Sequence, residues 1–193
     1  MWLWLVLFAL IILVFHKNIY NISVKTARSY NIVAMNEDVC RENLFLFDDI
    51  MKQIDVDYWL SEGTALGATR EQGFIKGDDD VDVGTFDGQK FVEQGLPLLT
   101  NKGFQVVGII DNLYSFIRKG EKLDVDIVVE GQSCMACKTK HANCQICDEM
   151  IPFLNFRYTN FLGRIFKVPD ERYLEYLYGD WKTPVRKTIF LKS

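Results

Sequence analysis

The chain has 193 residues, 49% hydrophobic and 13% aromatic, enough for one domain with a substantial core. A formal net charge of −4 excludes a general binder of nucleic-acid backbone, which needs clustered Lys and Arg to displace counterions from phosphates.

The first fifteen residues, MWLWLVLFALIILVF, are all apolar. As a helix they reach about 22 Å, and the hydrocarbon core of about 30 Å is met when His16, Lys17 and Tyr20 lie at the interface and Lys17 snorkels. No basic segment precedes the run, and HKNIYNIS lacks a small-x-small cleavage pattern, so residues 1–20 read as an uncleaved transmembrane signal-anchor rather than a cleaved signal peptide. Lys17, Lys25 and Arg28 follow the span, a charge bias toward a cytosolic domain, whereas Asn21-Ile22-Ser23 is a glycosylation sequon that would argue for the lumen. The sidedness stays open at this level. Residues 21–36 read as a juxtamembrane stalk and residues 37–193 as one domain without repeats or linkers.

In residues 37–54, Val39, Leu44, Phe47, Ile50, Met51 and Ile54 recur at helical spacing and predict an amphipathic helix, with Cys40 a buried core thiol. Tyr58-Trp59-Leu60 predicts a short strand, and Gly63-Thr64 begins a short helix through Arg70 with Thr64 available as its cap. Gly73 and Gly77 mark a loop. Residues 89–99 predict a helix despite Gly95 and Pro97, and three strands follow at 104–110, 114–118 and 122–129. Residues 157–168 read as strand or extended chain, and Pro169 opens a helix closed by Gly179. Within that helix Tyr173, Leu174 and Leu177 recur at helical spacing, which points Tyr173, Tyr176, Tyr178 and Trp181 to a core role before a ligand-stacking one.

The chemistry is concentrated in EGTALGATREQGFIKGDDDVDVG, residues 62–84. Asp80-Val81-Asp82-Val83 alternates with period two, setting both carboxylates on one face of a strand and both valines on the other. LDVDIVV repeats the alternation and sets Asp124 and Asp126 on a shared face. Carboxylates this close repel, so a cation belongs among them; Mg²⁺ or Mn²⁺ prefers such oxygen donors and is commonly shared with substrate phosphates. The competing reading is a solvated acidic loop or a calcium site, but the spacing lacks the EF-hand order. The Gly63-Thr64 turn would let backbone N–H groups approach phosphate oxygens.

In combination, YWLSEGTALGATREQGFIKGDDDVDVG, LDVDIVV and FKVPDERYLEYLYGDWKTP resemble the LicD/fukutin family of the nucleotidyltransferase-fold superfamily, over roughly residues 55–184. The resemblance implies a mixed α/β sheet flanked by helices. It assigns Gly63-Thr64 to the family's small turn, Asp80 and Asp82 to its D-h-D pair and Asp126 to its third acid, with Asp124 fitting the same pattern and Asp78 a further candidate metal ligand. Thr64 stands where serine or glycine is commoner, and fifteen residues separate it from Asp80, a longer interval than the superfamily's. The implied activity is metal-dependent transfer of phosphocholine, ribitol phosphate or glycerol phosphate from a cytidine diphosphate donor to a glycan. Arg70 in the GTALGATR element is then a donor-phosphate ligand, the alternative being an ordinary exposed helix residue. A Golgi or endoplasmic-reticulum lumenal location would follow by resemblance. An inactive membrane interaction module, or a nucleotidyltransferase acting on a small acceptor, are the alternatives.

Cys134-x-x-Cys137 and Cys144-x-x-Cys147, six residues apart, have the spacing of a compact structural Zn²⁺ knuckle, or of two disulfides in an oxidising lumen. His141 lies between the pairs and reads as a solvated loop residue before a ligand.

Overall fold

A computed structural model of the chain describes residues 35–129 and 155–184. The expected anchor and the four paired cysteines lie outside those residues. Among the described residues no helix is long and apolar enough to cross a membrane.

Helix α1 (Glu37–Gln53) starts where Asn36 Oδ1 accepts from the Val39 N–H at 3.2 Å, with Glu37 and Asp38 in the first turn and Lys52 in the last, each sign suited to the helix dipole. Cys40, Leu44, Phe47 and Met51 recur at intervals of three and four and are buried. Burial pushes the Cys40 thiol up to about 12, which makes it a packing residue rather than a nucleophile. Strand β1 (Tyr58–Leu60) leads into α2 (Glu62–Arg70), and β2 (Asp80–Thr85) follows the Gly73–Gly77 loop.

The helical stretch after β2 is continuous but not regular. It runs through α3 (Gly88–Lys90), a π-helical turn (Phe91–Gly95) and α4 (Leu96–Asn101). Pro97 sits in the first turn of α4, where its missing N–H costs little, so the wide turn before it carries the chain past a residue that would break an ordinary helix interior.

Strands β3 (Gln105–Ile110), β4 (Leu113–Arg118) and β5 (Glu121–Ile127) complete a five-stranded mixed sheet of order β1-β2-β5-β4-β3, in which β2 and β5 are parallel and every other pair antiparallel. The sheet is two-faced because its strands alternate. Val81, Val83, Phe116, Leu123 and Val125 belong to the buried core that α1, Phe91 and Leu99 also enter, and the opposite face carries the acids.

Residues 157–168, expected to be strand or extended chain, form most of a hairpin of β6 (Phe156–Phe161) and β7 (Arg164–Pro169). Leu162 and Gly163 both have positive φ, 55° and 94°, the geometry of the two-residue hairpin turn whose twist matches its strands. Pro169 ends β7 instead of opening the next helix; Asp170 caps α5 (Glu171–Tyr178) by accepting from the Arg172 N–H at 3.0 Å, and Gly179 closes it at φ 63°. The hairpin is tied to α1 by Arg164, whose Nη1 donates to the buried Asp48 Oδ2 at 3.0 Å and to Asp49 Oδ1 at 2.6 Å. Tyr58 Oη completes the Asp48 network at 2.8 Å. Tyr173 is fully buried and Trp181 nearly so, as the spacing predicts, whereas Tyr176 and Tyr178 remain substantially exposed.

Candidate active site

The acids converge because two parallel strands run in register. Asp82 on β2 stands opposite Asp124 on β5, Asp80 opposite Lys122 and Gly84 opposite Asp126. Period-two alternation sets Asp80, Asp82, Lys122, Asp124 and Asp126 on one face. Carboxylate oxygens of Asp80, Asp82 and Asp124 lie within 4.8 Å of one another, and those of Asp78, Asp79 and Asp80 form a second, more exposed group. Asp126 lies one step further along β5, outside both groups.

The start of α2 clamps the central acid. Ser61 N–H donates to the Asp82 carbonyl at 3.0 Å, and the Asp82 N–H donates to Thr64 Oγ1 at 2.9 Å. Thr64 is therefore not the expected cap of α2. It lies inside that helix, buried, with its hydroxyl turned onto β2, while Ser61 holds the N-cap position without a side-chain cap bond. Gly63 lets the Asp78 carboxylate approach: a Cβ there would lie 2.5 Å from Asp78 Oδ2 and would displace that side chain. Arg70 is tied down elsewhere, its Nη1 donating to the Trp181 carbonyl at 2.9 Å and its Nη2 to Glu71 Oε1 at 2.7 Å.

Two residues that sequence reasoning passed over complete the site. Glu62 has φ 42°, a left-handed conformation costly for a side chain with a Cβ, and its N–H donates to Tyr173 Oη at 3.4 Å. Lys122 Nζ bonds Asp80 Oδ2 at 2.7 Å and also Asp124 Oδ2. Both depend on tertiary placement; the one signal in the sequence is that Lys122 precedes the second D-V-D motif by two residues.

Burial dominates the electrostatics. It raises the Asp82 carboxyl well above its ordinary value, reinforced by Asp80, Glu62 and Asp124. Burial and then Asp124 take Asp126 up to about 7, and burial followed by Asp126 and Asp80 takes Glu62 up to about 8. Asp124 is also raised by burial, against the opposing pull of Lys122. Ser115, its partner on β4, favours the charged form too, yet no hydrogen bond of good geometry among the described residues reaches the buried Asp124 Oδ1. Tyr178, at the end of α5, keeps part of its ring exposed, but desolvation of its phenol and then Glu62, Asp82 and Asp78 raise it, so it stands in the field of the same acids.

A buried acceptor without a donor, among carboxylates that repel one another, fits a hard dication. Asp80, Asp82 and Asp124 are the residues that would hold it, with Asp78 at the exposed side. Cys134, Cys137, Cys144 and Cys147, read from the sequence as a zinc knuckle or two disulfides, lie outside the described residues.

A mixed sheet of this order, with paired acids on adjacent parallel strands, is a nucleotidyltransferase-type fold. The lincomycin-bound lincosamide antibiotic adenylyltransferase LnuA shares it at a TM-score of 0.51 and 16% identity, over 75% of this chain and 89% of that one. Residues 55–171 match the family described as LicD/FKTN/FKRP, nucleotidyltransferase domain, and the chain belongs to that family. It is 31% identical over 159 residues to the ribitol-5-phosphate transferase FKTN of Mus musculus, covering 76% of this chain and 34% of that protein. It is 33% identical over 81 residues to an uncharacterised protein of Rickettsia prowazekii, covering 42% of this chain and 29% of that protein. The chain spans about a third of the length of these two relatives.

Proposed function

We propose that the chain is a divalent-cation-dependent phosphotransferase that moves a phospho-substituted alcohol, of the ribitol phosphate, glycerol phosphate or phosphocholine type, from a cytidine diphosphate donor to a hydroxyl of a glycan. The observation that carries this reading is the convergence of Asp80, Asp82 and Asp124, with Asp124 Oδ1 buried and unpaired, in a chain of the LicD/FKTN/FKRP family. Mg²⁺ or Mn²⁺ bound there would neutralise charge on the transferred phosphoryl group and lower the pKa of the acceptor hydroxyl.

The chain's own residues bind and orient. Asp80, Asp82 and Asp124 present oxygens from two strands whose register fixes their spacing. Thr64 and Ser61 hold the backbone of Asp82 from both sides, which keeps the position of that residue on β2 fixed. Gly63 lies in the first turn of α2, whose backbone N–H groups a donor phosphate could meet. Arg70 serves as the donor-phosphate residue only if its bond to Glu71 exchanges for one to phosphate. Asp126 and Glu62, both raised toward neutrality, border the site as groups able to hold a proton. Residues 1–20, with the apolar run of residues 1–15, would anchor this domain at a membrane, beside membrane-borne glycans.

The test is product analysis after incubating the full chain with CDP-ribitol, CDP-glycerol and CDP-choline and a glycan acceptor, with and without EDTA. Release of cytidine monophosphate with a phosphodiester-modified glycan, lost in EDTA, is expected. Pyrophosphate release from a nucleoside triphosphate and an adduct carrying the nucleotide would identify nucleotidyl transfer instead. No turnover under any condition would favour the non-catalytic interaction module.

A further inference from the structure

Lys122 is the one cation placed directly between the carboxylates of this face among the described residues. It sits opposite Asp80 across the β2–β5 pair and two residues before Asp124 on its own strand, so the pleat points all three side chains the same way. Its Nζ donates to Asp80 Oδ2 at 2.7 Å and to Asp124 Oδ2, and the side chain is 13% exposed.

The arrangement is incomplete in a specific way. Lys122 takes one oxygen of Asp124, while the other oxygen, Oδ1, is buried without a hydrogen-bond partner among the described residues. One positive charge faces Asp80, Asp82 and Asp124 together, and Asp82 receives no hydrogen bond from the ammonium. A monovalent cation thus occupies one edge of a group whose charge and empty acceptor call for more.

We infer that Lys122 is a resident counter-ion of the site, which holds Asp80 and Asp124 together when no divalent ion is bound and competes with that ion for the same two carboxylates. The inference rests on the metal-centre reading of Asp80, Asp82 and Asp124. Two cations drawn to the same oxygens repel each other, so an entering dication weakens at least one Lys122 contact. Lys122 accordingly lowers the affinity of the site for the ion while preventing the carboxylates from splaying apart before the ion arrives. It is a positioning residue, acting through Asp80 and Asp124. A lysine that only braced the sheet would have the opposite signature, because its loss would disorder the ligands and weaken ion binding.

The experiment measures Mn²⁺ binding to the full chain by the electron paramagnetic resonance signal of free Mn²⁺, together with melting temperature in EDTA and in saturating Mn²⁺. The proteins compared are wild type, Lys122→Met and Lys122→Arg. Lys122→Met keeps the length and removes the charge; it is expected to bind Mn²⁺ at least about tenfold more tightly, to melt lower than wild type in EDTA, and to gain more from added Mn²⁺. Lys122→Arg keeps the charge and is expected to melt like wild type in EDTA and to bind Mn²⁺ no more tightly. Equal or weaker Mn²⁺ binding by Lys122→Met overturns the inference and leaves the metal centre standing. Absence of Mn²⁺ binding in wild type and both variants overturns the metal-centre reading itself, and the inference with it. Should Lys122→Met not fold without the ion, tighter Mn²⁺ binding by Lys122→Arg would overturn the competition on its own.

Discussion

Asp82→Asn is expected to lower divalent-dependent turnover by at least about a thousandfold, the scale of several kcal/mol of charge stabilisation at a transferred phosphoryl group. Asp82 lies in the middle of the acid ladder, buried, with its backbone clamped by Ser61 and Thr64, so no neighbouring acid can replace it from the same position. The substitution is close to isosteric and should leave the fold intact. It should even raise the melting temperature of the metal-free protein at neutral pH. Burial and the neighbouring acids raise the carboxyl of Asp82 above its ordinary 3.8, so the folded state prefers the proton. The stability that this preference contributes is complete below 3.8 and is lost as pH rises through the raised folded value, a loss that the uncharged Asn does not suffer. Turnover assays and melting curves in EDTA at several pH values separate the two effects. A variant that turns over normally, or that melts lower than wild type at neutral pH without metal, would contradict this view of Asp82.

The second large effect is on the fold that holds the site. Trp59→Ala is expected to cost about 3–5 kcal/mol, read from urea denaturation. Trp59 is fully buried and packs its ring on Phe86 at 4.8 Å and on Phe156 at 4.9 Å, joining β1 to the β6–β7 hairpin. The same ring fills the space over Gly84, where a Cβ would come within 2.5 Å of it. Gly84 stands opposite Asp126, so the tryptophan also packs the β2–β5 pair one step beyond Asp82 and Asp124. Its Nε1 is buried without a partner among the described residues, so Trp59→Phe loses packing but no hydrogen bond and should cost distinctly less than Trp59→Ala. Equal costs for the two variants would mean that ring packing is not what Trp59 contributes.

Much of this architecture is legible along the chain because two independent signals agree there. The D-V-D-V run of residues 80–83 has the period of a strand and the chemistry of a metal site, and LDVDIVV repeats both. Helix α1 was equally readable, from spacing that returns Leu44, Phe47 and Met51 to one face. The hairpin turn at Leu162-Gly163 was not, because leucine is an unusual residue at positive φ and the sequence carries no Asn-Gly signal. Thr64 is available in the sequence as a helix cap, yet β2 passes close enough to claim its hydroxyl for the Asp82 N–H. Two acids two residues apart on β5 point the same way, so alternation alone does not separate Asp124 from Asp126, and the family resemblance favours Asp126 as the third acid. Only the parallel register, Asp82 against Asp124, shows which one meets the first pair. Glu62 and Lys122 were invisible for the same reason, since a left-handed backbone and a cross-strand ion pair are products of tertiary packing.

The central claim is that Asp80, Asp82 and Asp124 together grip a divalent ion. Anomalous diffraction at the manganese edge, from crystals of the protein soaked in MnCl₂, tests it most directly. A peak in contact with carboxylate oxygens of all three residues is expected. A site that stays empty at saturating Mn²⁺, or a peak held only by Asp78 and the exposed Asp79, would contradict that grip.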